Sequence, residues 1–278
     1  MRVSGAIKCF SDYHRMNSKT NTIRNYELIL SRFCSQFGER EVGNITSDEI
    51  LAFLTKLTEG TKQSTKRLRY SLLSAFFNFI KNSVDPLFKN PCDTPILRKL
   101  FKEPKHNNWD ILEKEVVDEM IFRTENSRNR LMLELMARGG MRVGEVLNIT
   151  PRDSENRKII IRDPKSGKEA EVVFIPQKVA DRLKEYIREK GINHNERIFS
   201  ITYPAGRAVV KKAGRLVGIK LKTHDLRRHA ATYASRSGTP LEIVSKIILR
   251  HANLSTTQRY LGKVSDMEAM RWIDNLHG

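Results

Sequence analysis

Several residues stand at spacings that suit chemistry on a phosphodiester. Arg142 follows the Gly139-Gly140 break, His224 and Arg227 lie three apart in a stretch that reads as one helix face, and His251 precedes Tyr260 by nine residues. A reacting phosphate gains charge in its transition state. Guanidinium forks match its non-bridging oxygens bidentately, and fixed cations aimed at developing charge are usually the largest catalytic contribution. Two Arg, a Lys and two His around one phosphate can supply that stabilisation without a metal. Acidic residues in these segments are few (Glu145 and Asp225), too few for a two-metal carboxylate site. Taken singly, an Arg after Gly-Gly is usually a surface residue and a lone helical His is usually structural. The joint spacing carries the reading.

Helices must do most of the positioning. Thr46-Ser-Asp-Glu49 is a capping box, followed by Ile50, Phe53, Leu54 and Leu57 on one helix face. A second helix is expected from about Ser64, with Leu68, Leu72, Ala75, Phe76 and Phe79 as its stripe and Lys62, Lys66, Arg67 and Arg69 on its first turns. With an earlier helix over roughly 19–37, this predicts an all-α N-terminal module whose aromatics form a core. Residues 104–109 read as a polar, Pro-broken linker between a helical domain over 1–103 and a second domain over 110–278.

In the second domain, Asp110 and Glu113 restart helical structure, which runs to Gly139-Gly140 and resumes from Val143 to Ile149. The period then changes. Lys158–Arg162 and Glu171–Ile175 are β-rich runs around a polar turn containing Lys165 and Lys168, which predicts a hairpin. Val179, Leu183 and Ile187 resume helical spacing up to Gly191. His224-Asp225 opens a helix to Gly238, and Thr239-Pro240-Leu-Glu242 reads as a capping box with Pro at the first helical position. Ser255-Thr-Thr-Gln258 reads as another box, which sets Tyr260 on a short helix. Ser265–Glu268 caps a tail helix with Ala269, Ile273 and Leu276 on one face and Met270 and Trp272 nearby. The expected fold class is mainly α with a small β-hairpin or sheet in the C-terminal domain.

The 50 Lys+Arg against 32 Asp+Glu give a net charge of +18, and both halves are basic. A chain this basic attracts polyanions through its summed field and through counterion release, as a protein gripping a duplex from two sides would. No apolar run approaches a membrane span and no signal peptide is evident, so a cytoplasmic protein without a membrane partner is expected. Cys9, Cys34 and Cys92 have no metal-ligand spacing, which predicts free buried thiols and neither a disulfide nor a zinc site. No phosphate-binding glycine loop ending in Lys-Ser/Thr occurs, so the expected cofactor is none, and no metal is expected.

The segments that hold these residues resemble the conserved boxes of tyrosine recombinases, the family of Xer-type and phage integrases. Gly140-Met-Arg-Val-Gly-Glu145-Val-Leu is similar to the first box, His224-Asp-Leu-Arg-Arg-His229-Ala-Ala-Thr to the second, and Leu249-Arg-His-Ala-Asn-Leu-Ser-Thr-Thr-Gln-Arg-Tyr260 to the third. Their order, their separations and the intervening hairpin agree, and the N-terminal helical module looks like the family's core-binding domain. The resemblance implies a site-specific recombinase of two domains. In it Tyr260 attacks the scissile phosphate, forms a 3′-phosphotyrosyl link and releases a 5′-hydroxyl. It implies that Arg142 and Arg227 hold the non-bridging oxygens, that His251 adds a hydrogen bond and that His224 assists proton transfer. Lys165 matches the mobile lysine that protonates the leaving hydroxyl, a role Lys168 would take if the turn carried one more residue. Glu145 matches a supporting acidic position. The second box departs from its commonest form at Arg228 and His229, so Arg228 is expected at most to touch a DNA phosphate.

The implied partners are double-stranded DNA with paired sites and further copies of the chain, forming a tetramer through the C-terminal tail. The chain opens almost directly into the helical module, so an additional arm-binding domain is expected to be absent. Two other readings remain open at this level. One is a type IB topoisomerase-like enzyme that reseals the same strand, and the other is a basic DNA-binding regulator without activity.

Overall fold

The computed structural model describes residues 1–102, 111–164, 167, 169–261, 270 and 273–274, and only the backbone of Arg259 and Tyr260. The linker expected at 104–109, Asp110, Lys165, Lys168, the Ser265–Glu268 cap, Ala269, Trp272 and Leu276 lie outside the described residues. The chain divides into two compact units, Met1–Asn107 and Asn108–Gly278. Most described residues are helical, and a small antiparallel sheet lies in the second unit.

The first unit is built from α1 (Val3–Asn17), α2 (Thr20–Phe37), α3 (Ser47–Leu57), α4 (Gln63–Ser83) and α5 (Pro95–Leu100). Thr46 caps α3: its hydroxyl accepts the Glu49 N–H at 3.3 Å, and Glu49 accepts the Thr46 N–H at 3.0 Å. Phe10, Phe33, Phe37, Phe53, Phe76 and Phe77 pack into one core, several of them edge to face; Phe33 and Phe53 stand 5.2 Å apart. The buried face of α4 is rotated from the expected stripe. Tyr70, Leu73, Phe77 and Ile80 join Leu72 and Phe76 in the core, Phe79 is only partly buried, and Leu68 is exposed. Five apolar residues within six, Leu72–Leu73 and Ala75–Phe77 around Ser74, fit either phase, and packing decides. Helix α1 was not foreseen, because only Val3, Ala6 and Phe10 mark its buried side.

The second unit contains α6 (Lys114–Phe122), α7 (Ser127–Arg138), α8 (Val143–Asn148), β1 (Ser154–Glu155), β2 (Lys158–Arg162), β3 (Ala170–Phe174), α9 (Gln177–Glu189), α10 (Tyr203–Leu216), α11 (Thr223–Arg236), α12 (Leu241–Ile243) and α13 (Leu254–Leu261). The strands run in the order β1-β2-β3, with Ile160 opposite Val172 in the expected hairpin. Ile159, Ile161 and Val173 point into the core; so does Glu171, a carboxylate on the inward face of β3.

Two caps differ from expectation. Pro240 sits at the N-cap of α12 without a side-chain bond, so no Thr239–Glu242 box forms, and α12 continues as a π-helical turn over Val244–Ile248. At α13 the side chain of Asn253 accepts the Ser255 N–H at 2.9 Å, and the helix begins at Leu254, two residues before the Ser255 box would place it. Of the cysteines, all free, only Cys92 is buried, and burial raises its thiol; Cys9 is exposed, contrary to the expectation of buried thiols. Among the described residues no helix is long and apolar enough to cross a membrane.

Candidate active site

The first box is a tight break between helices. Gly140 has φ +61°, and a Cβ there would meet the Ile248 carbonyl oxygen at 2.9 Å, so both backbone conformation and close approach require glycine. The break delivers Arg142 to the N-cap of α8. Glu145, one turn into that helix, accepts the Arg142 backbone N–H at 2.8 Å and pairs with the Arg142 guanidinium. The Arg142 side chain keeps 26% of its surface exposed, so it reaches solvent while Glu145 holds its base.

Arg227 lies on α11 and is wholly buried. Its guanidinium donates to the carbonyl oxygens of Gly140 and Leu249. One cation thus ties together the residues two before Arg142 and two before His251, which brings the three boxes to one place. Burying a charge is costly unless it is hydrogen-bonded, and these carbonyls supply that compensation.

The third box adds an unforeseen partner. Arg250 has φ +51° and a buried side chain. Its Nη2 donates to Glu145 at 2.7 Å, its Nε to Glu171 at 3.1 Å and its Nη1 to the Ile248 carbonyl at 3.0 Å. Burial alone would raise the Glu145 carboxyl, but Arg250 and Arg142 together hold it below the usual carboxylate range. Next in sequence, His251 Nδ1 stands 3.0 Å from the Thr257 hydroxyl, which donates to Ser245 at 2.8 Å. Burial and the charges of Arg227, Arg142 and Arg250 push the His251 imidazole down to about 4, against the pull of Glu171. Thr257 is one turn before Tyr260 on α13, so the anchor of that helix also anchors His251.

The structure therefore gathers Arg142, Glu145, Arg227 and His251. His224 is exposed on the first turn of α11, three residues from Arg227. The Tyr260 side chain, Lys165 and Lys168 lie outside the described residues. Arg228 is buried and pairs with Asp225 at 3.1 Å, so little of its side chain is available to a DNA phosphate. In the first unit Lys62 is exposed at the start of α4, while Lys66, Arg67 and Arg69 are half-buried; Lys66 lines one groove and Arg67, 5.7 Å from the Tyr70 ring, another. Sequence reasoning missed Arg250, Glu171, Thr257 and Ser245. For Glu171 a signal existed: strand alternation puts it on the same face as Val173.

The pattern of the phage integrase family matches residues 110–266, over half of the chain, and that of the phage integrase N-terminal SAM-like domain matches residues 9–83. The chain belongs to the phage integrase family. Among curated relatives of this chain, tyrosine recombinase XerA of Pyrococcus horikoshii is 30% identical, with 92% of this chain and 88% of the relative covered. Tyrosine recombinase XerA of Saccharolobus solfataricus is 27% identical, with 95% and 81% covered. The chain also shares the fold of the Tn1549 transposon integrase in complex with transposon right end DNA (TM-score 0.75, 17% identity, all of both chains covered). A lambda integrase dimer bound to a core site gives TM-score 0.73 at 16% identity, covering 94% of this chain and 95% of that one. The chain is accordingly a tyrosine recombinase, an enzyme of site-specific DNA cleavage and rejoining.

Proposed function

We propose that Tyr260 attacks a scissile phosphate of a bound duplex, forming a 3′-phosphotyrosyl link and releasing a 5′-hydroxyl. Arg142 and Arg227 stabilise the charge on the non-bridging oxygens, His251 adds a hydrogen bond, and Glu145 supports Arg142. His224 assists proton transfer to and from Tyr260, and Lys165 (or Lys168, if the turn places it there) protonates the leaving oxygen. Attack by a 5′-hydroxyl of a second strand reverses the step and frees Tyr260. One phosphodiester replaces another, so no nucleotide is hydrolysed. The observation that carries this reading is the Arg227 clamp on the Gly140 and Leu249 carbonyls, which joins the segments bearing Arg142 and His251.

The test is a covalent adduct. The native chain, incubated with cellular DNA and then denatured, should retain DNA on Tyr260, with or without EDTA, and Tyr260→Phe should bind DNA but retain none. An adduct surviving in Tyr260→Phe would move the nucleophile, with the exposed Tyr233 next to examine.

Lys62, Lys66, Arg67 and Arg69 belong, in this proposal, to the DNA-gripping surface of the first unit, and the enzyme works in the cytoplasm as a tetramer on two duplexes. Met270 and Ile273 of the tail are exposed apolar residues, which supports docking of the tail on a neighbouring copy. Deleting residues 265–278 should leave single-site binding intact and abolish paired-site assembly.

A further inference from the structure

Arg250 occupies a backbone position that disfavours it. Its φ of +51° lies in the left-handed region, where glycine is at ease and Asn or Asp is tolerated; the other described non-glycine residues there are Asn156 and Asp163. A long side chain at such a place has a strained backbone to offset, and strain of this kind gathers at functional sites. The side chain is also nine-tenths buried, where a cation persists only if paired.

Its three nitrogens reach three different segments. Nη2 meets Glu145 of α8 at 2.7 Å, Nε meets Glu171 of β3 at 3.1 Å, and Nη1 meets the Ile248 carbonyl at 3.0 Å. Glu145 Oε2 accepts from Arg250 and from the Arg142 backbone N–H at once, while its other oxygen pairs with the Arg142 guanidinium. A chain of alternating charge therefore runs Arg142–Glu145–Arg250–Glu171. Only its Arg142 end is substantially exposed, and with every nitrogen of Arg250 engaged inward, Arg142 is the member able to meet a phosphate.

We infer that Arg250 is a positioning residue of the recombination site: by gripping Glu145 and Glu171 together it fixes the Arg142 guanidinium against the scissile phosphate. The inference rests on the recombinase reading. Lysine cannot replace it, because an ammonium lacks the planar fork that spans two carboxylates. Its own backbone leads directly into His251, so the same grip fixes that turn.

The experiment compares the native chain with Arg250→Lys and with the double variant Arg250→Met/Glu171→Gln, in which no buried carboxylate loses its only charged partner. The probe is a nicked duplex of the sequence recovered from the native covalent adduct, prepared with an ordinary scissile phosphate and with each methylphosphonate diastereomer. The methyl group removes the charge that Arg142 would meet. Both variants should bind the duplex as the native chain does and cleave the ordinary phosphate about 10²-fold more slowly, the scale of a misplaced catalytic group. Cleavage of one methylphosphonate diastereomer should slow far less. Native-like cleavage in both variants, equal slowing on every substrate, weakened binding that accounts for the loss, or failure of both variants to fold would each overturn the positioning role. Absence of any adduct with the native chain would instead refute the recombinase reading itself.

Discussion

The two units bury very different interiors. The described core of the first is apolar and aromatic, with Thr58 its one buried polar residue. The second buries Arg227, Arg228, Arg250, Glu134, Glu145, Asp153, Glu171 and His229, beside an apolar core of its own. Buried ion pairs are weak contributors to stability, and hydrophobic replacements often do as well or better. A unit that retains so many is organised for chemistry: fixed dipoles and cations in a low-dielectric interior act strongly on charge that develops nearby. The first unit holds its shape on apolar contacts, and its basic residues Lys62, Lys66, Arg67 and Arg69 stand outside that core.

The largest expected effect tests the apolar side of this contrast. Phe33, wholly buried among Phe37, Phe53, Phe76 and Phe77, should cost about 3–5 kcal/mol of stability as Phe33→Ala. Hydrogen exchange should place the loss within residues of the first unit. A loss shared with α7 or α11 would mean that the two units do not hold their interiors independently.

Next come the arginines, which the contrast separates. Arg142→Ala and Arg227→Ala should each slow cleavage by about 10²–10³-fold, the scale of one missing charge-stabilising donor. Their stabilities should diverge. Arg227→Ala strands two carbonyls inside the domain and should lower the melting temperature by several degrees, since hydrogen bonds to a charged group are worth about 1.5–3 kcal/mol. Arg142 is partly exposed and Glu145 keeps Arg250, so Arg142→Ala should melt close to native. Equal melting of the two would deny Arg227 its stitching role.

How much of this was legible beforehand follows from what each feature depends on. Helices with strong caps or long apolar periods, such as α3 and α9, could be read locally. Helix α10 could not, because Gly206 and Gly214 on its buried side look like breakers; Cβ atoms there would meet Leu147 and Leu221 closely, so the glycines serve packing. The residues gathered here as Arg142, Glu145, Arg227 and His251 were marked by motif spacing. Arg250 was not, because its meaning lies in a positive φ and in partners 79 and 105 residues away. The same holds for Arg228, whose type reads as a DNA contact and whose place on α11 makes it a buried ion pair.

A smaller and more selective effect concerns the leaving group. Lys165→Ala should slow cleavage of an ordinary phosphodiester much more than that of a substrate with a 5′-bridging sulfur, because sulfur departs without needing a proton. Equal slowing on both substrates would reduce Lys165 to a DNA contact, and sulfur rescue of Lys168→Ala instead would pass the role to that residue.

The smallest expected effect is a pH slope of stability. In the folded chain His251 faces Arg227, Arg142 and Arg250, with Glu171 opposing them, and its imidazole is held at about 4 against 6.5 for a free side chain. Between those values the unfolded chain binds a proton that the folded one refuses. The contribution of His251 is therefore complete above 6.5 and is lost progressively as pH falls toward 4. His229, lowered mainly by burial, acts in the same direction in the same unit, and His14 does so in the first. Glu145 and Asp153, held below the usual carboxylate range, fail only in stronger acid, as pH falls through their folded values. Melting curves of His251→Gln should thus lose stability less steeply than native curves between pH 6.5 and 4. A bound phosphate brings negative charge to the same arginines and eases protonation of His251, so duplex DNA should flatten the native slope as well. Parallel native and variant slopes, or a DNA-bound slope steeper than the free one, would show that the arginine cluster does not govern this histidine.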